Sequence, residues 1–130
     1  MQLILERPDY EFSLRGADGA SAQVNDRILR RSFIVAPDAL VEEWPVRDAA
    51  ALQVGDLEPM LALNPELLVL GTGARQVFPP AAVLGACLAR GIGIEVMDNA
   101  AAARTYSILA GEGRRVVAGF VFPPDDAPAG

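Results

Sequence analysis

Leu67-Leu68-Val69-Leu70-Gly71-Thr72-Gly73-Ala74-Arg75 decides the fold, because an unbroken apolar run meets a glycine-rich turn. A strand covered on both faces shows no polar alternation, and Leu67 to Leu70 shows none. Downstream, Pro79-Pro80 opens a run of helix formers from Ala81 to Arg90, and Gly91 stands just past its end. Proline at the start and glycine beyond the finish are the asymmetric boundary signals of a helix. Gly93-Ile94-Glu95-Val96-Met97 then reads as a strand. Strand 67–70, helix 80–90 and strand 93–97 make a βαβ unit, whose right-handed crossover leaves two parallel strands with the helix packed across them.

Outward from this unit, Asp98-Asn99 is placed to cap a second helix over Ala100 to Ala110, which Gly111 ends. Val116 to Phe122 is the last strand, stopped by Pro123-Pro124, and residues 125–130 read as a frayed tail. On the other side, Asp56 is the expected cap of a brief helix that must stop before Pro65. Asp48 to Leu52 fits either a short helical turn or a loop. Leu40 to Trp44 reads as a strand ended by Pro45, with Trp44 half-buried over the sheet. Short strands are expected at 22–24, 27–29 and 32–35, with a turn at Gly16-Ala17-Asp18-Gly19 and a loose lead-in over residues 1–11. The expected architecture is a single α/β domain over residues 1–130, a helix-covered sheet with an N-terminal β-rich extension.

Composition narrows the function classes. The chain has 130 residues, 52% of them hydrophobic and 22% charged, the balance of a packed globular protein. A formal charge of −6 opposes binding to phosphate backbones, so no nucleic-acid partner is expected. Arg27, Arg30 and Arg31 form the one dense basic cluster and read as a solvated strand edge or turn. No run reaches the ~20 apolar residues of a membrane span, and no signal-peptide pattern opens the chain, so a cytoplasmic location without membrane insertion is expected. Oligomeric state is not legible.

Histidine is absent, which removes the commonest general base and the usual zinc ligands. No metal site, cofactor or catalytic set is expected. The single Cys87 lies mid-helix among Ala86, Leu88 and Ala89 and reads as a packed thiol. Tyr106 reads as a packed ring with a hydrogen-bonded hydroxyl. The candidate binding site is the turn at the carboxyl end of the 67–70 strand, where ligands of open α/β sheets collect. Gly71 and Gly73 permit close backbone approach, Thr72 offers a hydroxyl, and Arg75 brings a bidentate positive charge. Asn99 ends the neighbouring strand, and Arg104 lies one to two helical turns on. These six residues could seat a carboxylate or phosphate. Gly71-x-Gly73 lacks the third glycine of a dinucleotide fingerprint, and no P-loop is present.

Several segments in order carry a resemblance: Leu68-Val69-Leu70-Gly71-Thr72-Gly73, Phe78-Pro79, Gly91-Ile92-Gly93-Ile94-Glu95-Val96-Met97, Ala103-Arg104-Thr105-Tyr106-Ser107-Ile108-Leu109 and Val116-Val117-Ala118-Gly119. Across roughly residues 20–123 the chain resembles the small family containing mitochondrial complex I assembly factor three and the adipogenesis-associated domain protein. Asp98-Asn99 stands where a threonine-containing turn is usual in that family, and Ser107 where asparagine is common. The resemblance implies a three-layer α/β fold with a mixed central sheet, action through protein contacts, and no catalytic residues to carry over. The leading expectation is a noncatalytic protein-binding or complex-assembly module. The alternative is a small-molecule binding protein or enzyme that takes an anionic ligand on the 71–75 loop.

Overall fold

The computed structural model describes residues 10–123. Most of the expected lead-in and the whole of the 125–130 tail lie outside the described residues. The strands are β1 (Leu14–Ala17), β2 (Ala22–Val24), β3 (Arg27–Leu29), β4 (Phe33–Ala36), β5 (Ala39–Val41), β6 (Leu67–Gly71), β7 (Gly93–Met97) and β8 (Val116–Phe120). The α-helices are α1 (Glu58–Leu61), α2 (Ala81–Ala89) and α3 (Asn99–Gly111).

The apolar run 67–71 becomes β6, flanked by parallel β7 and parallel β8, and this is why it carries no polar alternation. β4 adds antiparallel to β8, and β5 to β4, giving a mixed five-stranded sheet in the order β5-β4-β8-β6-β7. β1, β2 and β3 form a separate antiparallel sheet. Alternation along β8 assigns the two faces. Val116, Ala118 and Phe120 pack with α3 and the small sheet, whereas Val117 packs with α1, α2 and the 42–57 segment. The result is the three-layer α/β fold implied by the resemblance, with β1, β2 and β3 of the N-terminal β-rich extension forming part of one outer layer and β4 and β5 joining the central sheet.

Three local expectations need correction. The Leu40–Trp44 strand is shorter than expected: β5 ends at Val41, and Trp44 lies in irregular backbone. Trp44 is not half-buried but 3% exposed; its indole N–H donates to the Asp56 carbonyl at 2.9 Å and its ring lies flush on Gly119. A tryptophan with its one donor satisfied can be buried completely, and the missing side chain at 119 makes the room. Asp56 is not the helix cap. The turn Val54–Leu57 begins three residues earlier with Gln53 as its cap, and the Asp56 carboxylate accepts from the Gln53 N–H at 2.8 Å. Asp48 to Leu52 resolves as a helical turn, with Asp48 accepting from Ala50 N–H. Asn64 leaves the right-handed helical region before Pro65, as expected, but enters the left-handed one at φ 57°.

Candidate functional site

Parallel β6, β7 and β8 end side by side, and the 71–75 loop leaves β6 there. The ladders run on past the strand ends: Thr72 N–H donates to the Met97 carbonyl, and Val121 N–H to the Gly71 carbonyl, each at 2.9 Å. Asn99 occupies the middle of the crevice. It is fully buried at the first position of α3, and its Oδ1 accepts from Gly73 N–H at 3.0 Å. Its Nδ2 donates to the Asp18 carbonyl at 3.0 Å and the Val121 carbonyl at 3.2 Å. One carboxamide thereby ties the loop, the end of β8 and the β1–β2 turn together, using both of its amide hydrogens.

The glycines serve this closure. A Cβ on Gly71 would collide with Asn99 Oδ1 and crowd the Phe120 ring and the Ala102 methyl. Gly73 adopts φ +109°, a conformation that side chains rarely accept. The β1–β2 turn closes over the loop so tightly that a Cβ on Gly19 would come within 2.6 Å of the Ala74 Cβ. Thr72 is buried as well. Its hydroxyl donates to the Arg75 carbonyl at 2.6 Å, lies 3.2 Å from the Met97 carbonyl, and accepts from Val77 N–H at 3.0 Å. The N-terminus of α3 is likewise engaged, since Asp98 accepts from Ala101 N–H at 2.8 Å.

Gly71, Thr72, Gly73 and Asn99 are therefore brought together, with Gly73 and Asn99 bonded to each other and the remaining polar groups bonded to Asp18, Arg75, Val77, Met97 and Val121. Arg75 and Arg104 are exposed and form no ion pair with a described residue. Two other readings correspond to what is found. Tyr106 is fully buried with its hydroxyl donating to the Phe12 carbonyl at 2.7 Å, and burial pushes its phenol well above the ordinary range. Cys87 is buried on α2, and burial raises its thiol pKa.

A second concavity escaped the sequence. Arg30 and Arg31, beyond β3, meet Arg47 around a cavity of about 680 Å³. Arg47 is sixteen positions from Arg31 and carries no local signal that could have joined them. Arg27 of the same basic cluster points elsewhere and pairs with Glu42, which lowers the Glu42 pKa through the direct hydrogen bond.

Comparison with known proteins places this geometry in a family. A family model described as "Protein of unknown function (DUF498/DUF598)" matches residues 14–121. NADH dehydrogenase [ubiquinone] 1 alpha subcomplex assembly factor 3 of Danio rerio is 34% identical over 117 residues, covering 88% of this chain and 64% of its own length. A "13 kDa major membrane protein" of Francisella tularensis is 31% identical over 84 residues, covering 65% of this chain and 68% of the relative. Among the described residues, no helix here is long and apolar enough to cross a membrane. The solution structure of a Xanthomonas campestris protein superposes with a TM-score of 0.82 at 53% identity, over 99% of this chain and 98% of that one. The matched span holds the whole βαβ unit, the Asn99-filled crevice and both outer layers, and the chain belongs to the DUF498/DUF598 family, which includes complex I assembly factor homologues.

Proposed function

We propose that the protein is a noncatalytic protein-binding module of the assembly-factor type. The observation that carries this is the outer face of α2. Ala81, Ala82, Gly85, Leu88 and Ala89 all face solvent, and Leu88 is 69% exposed. Phe78, three residues before the helix, is 63% exposed. A helix on a sheet ordinarily shows water a charged or polar face, and α2 shows it none between Ala81 and Ala89. Contiguous exposed apolar surface of this kind marks a protein contact, and the relatives named as assembly factors supply the context. The occupant is an apolar surface of a different polypeptide.

Placing a photo-crosslinking residue at position 88 in cells tests this. The expected product is one discrete heterologous adduct that disappears when Phe78→Glu is added. A self-adduct alone would assign the face to a second copy. No adduct, together with unchanged membrane-complex assembly after gene deletion, would sink the assembly reading.

A further inference from the structure

The 680 Å³ cavity lies where the chain entering β4, the segment after β5 and the end of β8 converge. Its floor is apolar and packed into the core: Trp44 and Phe122 are 3% and 2% exposed. Ser32 stitches them together. Its carbonyl accepts from Trp44 N–H at 3.1 Å, while its hydroxyl accepts from Phe122 N–H at 2.9 Å. The rim carries three exposed guanidinium groups, Arg30, Arg31 and Arg47, against one carboxylate, Glu43. Arg27, Arg90, Arg114 and Arg115 each have an acidic partner, whereas these three have none among the described residues. On a chain of net charge −6, three arginines around one concavity without an ion pair among the described residues concentrate positive charge that attracts an anion.

The shape selects among anions. An enclosed metabolite site fixes its ligand through buried polar groups, and the one buried hydroxyl here, Ser32, is spent on the Phe122 backbone. The guanidinium donors of Arg30, Arg31 and Arg47 are exposed and line a concavity open to solvent. Planar guanidinium groups take carboxylates bidentately, and an extended acidic chain can bring several carboxylates to one groove while its apolar side chains cover the floor. We propose that this groove docks an acidic, extended segment of a partner polypeptide, its carboxylates held by Arg30, Arg31 and Arg47. The proposal rests on the protein-binding reading above but uses a separate surface from α2.

A short dye-labelled peptide alternating glutamate with leucine, titrated against the full chain by fluorescence anisotropy, is the test. Arg30→Ala/Arg31→Ala/Arg47→Ala together should weaken binding about tenfold or more, and Arg47→Ala alone should give a smaller loss in the same direction. Glu43→Gln should tighten it about twofold, and raising salt from about 50 to about 200 mM should weaken it. An affinity unchanged in the triple variant overturns the proposal. Citrate binding as tightly as the peptide would assign the groove to small anions instead. Binding that emerges only after removal of residues 124–130 would assign it to the chain's own Asp125-Asp126 segment. Phe78→Glu should leave peptide affinity unaltered while abolishing the position-88 adduct, so failure of one surface is distinguishable from failure of the other.

Discussion

The 71–75 loop and the arginine groove both gather polar groups that could take an anion, and they differ in what those groups already hold. At the loop, the buried donors are bonded inside the chain, Gly73 N–H to Asn99, Thr72 N–H to Met97, and the Thr72 hydroxyl to the Arg75 carbonyl, while the Arg75 side chain lies exposed. At the groove, three guanidinium groups surround open volume and bond no described carboxylate. Glycine-rich backbone serves tight self-contact as readily as ligand contact, because both need the Cβ out of the way. The difference teaches that a small-residue turn is defined by its neighbour, and here the neighbour is Asn99 beneath the β1–β2 turn.

The sharpest way to break this contrast is Asn99→Ala. It strands a buried N–H and two carbonyls at once, so a loss of about 3–5 kcal/mol is expected in chemical denaturation. A cost below about 1 kcal/mol would mean that the crevice is not held by this carboxamide. Next is Gly71→Ala, whose methyl must displace Asn99 Oδ1 in a packed interior. About 2 kcal/mol is expected from thermal melts, with Asn99→Ala/Gly71→Ala costing less than the sum of the singles because they share a contact.

Alkaline pH provides a third probe on the same helix. The Tyr106 phenol is raised by burial first, then by nearby Tyr10 and Asp38. Its stabilising share is intact below the unfolded tyrosine value and declines as pH rises beyond it, since the unfolded chain then releases the proton that the folded chain keeps. Stability should therefore fall above about pH 10, and Tyr106→Phe should flatten that fall even though it forfeits the bond to Phe12. Equal slopes in both proteins would place the alkaline sensitivity elsewhere. The smallest effect belongs to Arg75→Ala, expected within about 0.5 kcal/mol of the parent because the side chain is exposed and without an ion pair among the described residues. If phosphate or citrate raises the Tm of the parent and not of this variant, the loop binds anions after all.

Much of the architecture was legible along the chain. β7 spans 93–97 as read, α2 and α3 match their expected spans to within a residue, and the βαβ unit is parallel. These elements carry period, caps and stops within a few residues of each other. Trp44 departs from the half-buried expectation because nothing near it announces Gly119, seventy-five positions on, whose bare backbone receives the ring. Asp56 departs from the cap expectation because an acid early in a turn fits both the cap and the third position, and only the Gln53 N–H distinguishes them.

The candidate site shows the same division. Residue types alone placed Gly71, Thr72, Gly73 and Asn99 at adjoining strand ends, since hydrophobic period and glycine positions set where a βαβ unit turns. Whether those groups face solvent depended on Asp18, eighty-one positions from Asn99, coming to rest on its amide. The arginine groove depended on Arg47 folding back toward Arg30 and Arg31 over a floor tied together by Ser32 and Phe122. Local chemistry determines the elements because backbone hydrogen bonds and periodic burial act over a few residues. Occupancy and openness of a concavity belong to contacts between distant segments, and only the folded chain decides them.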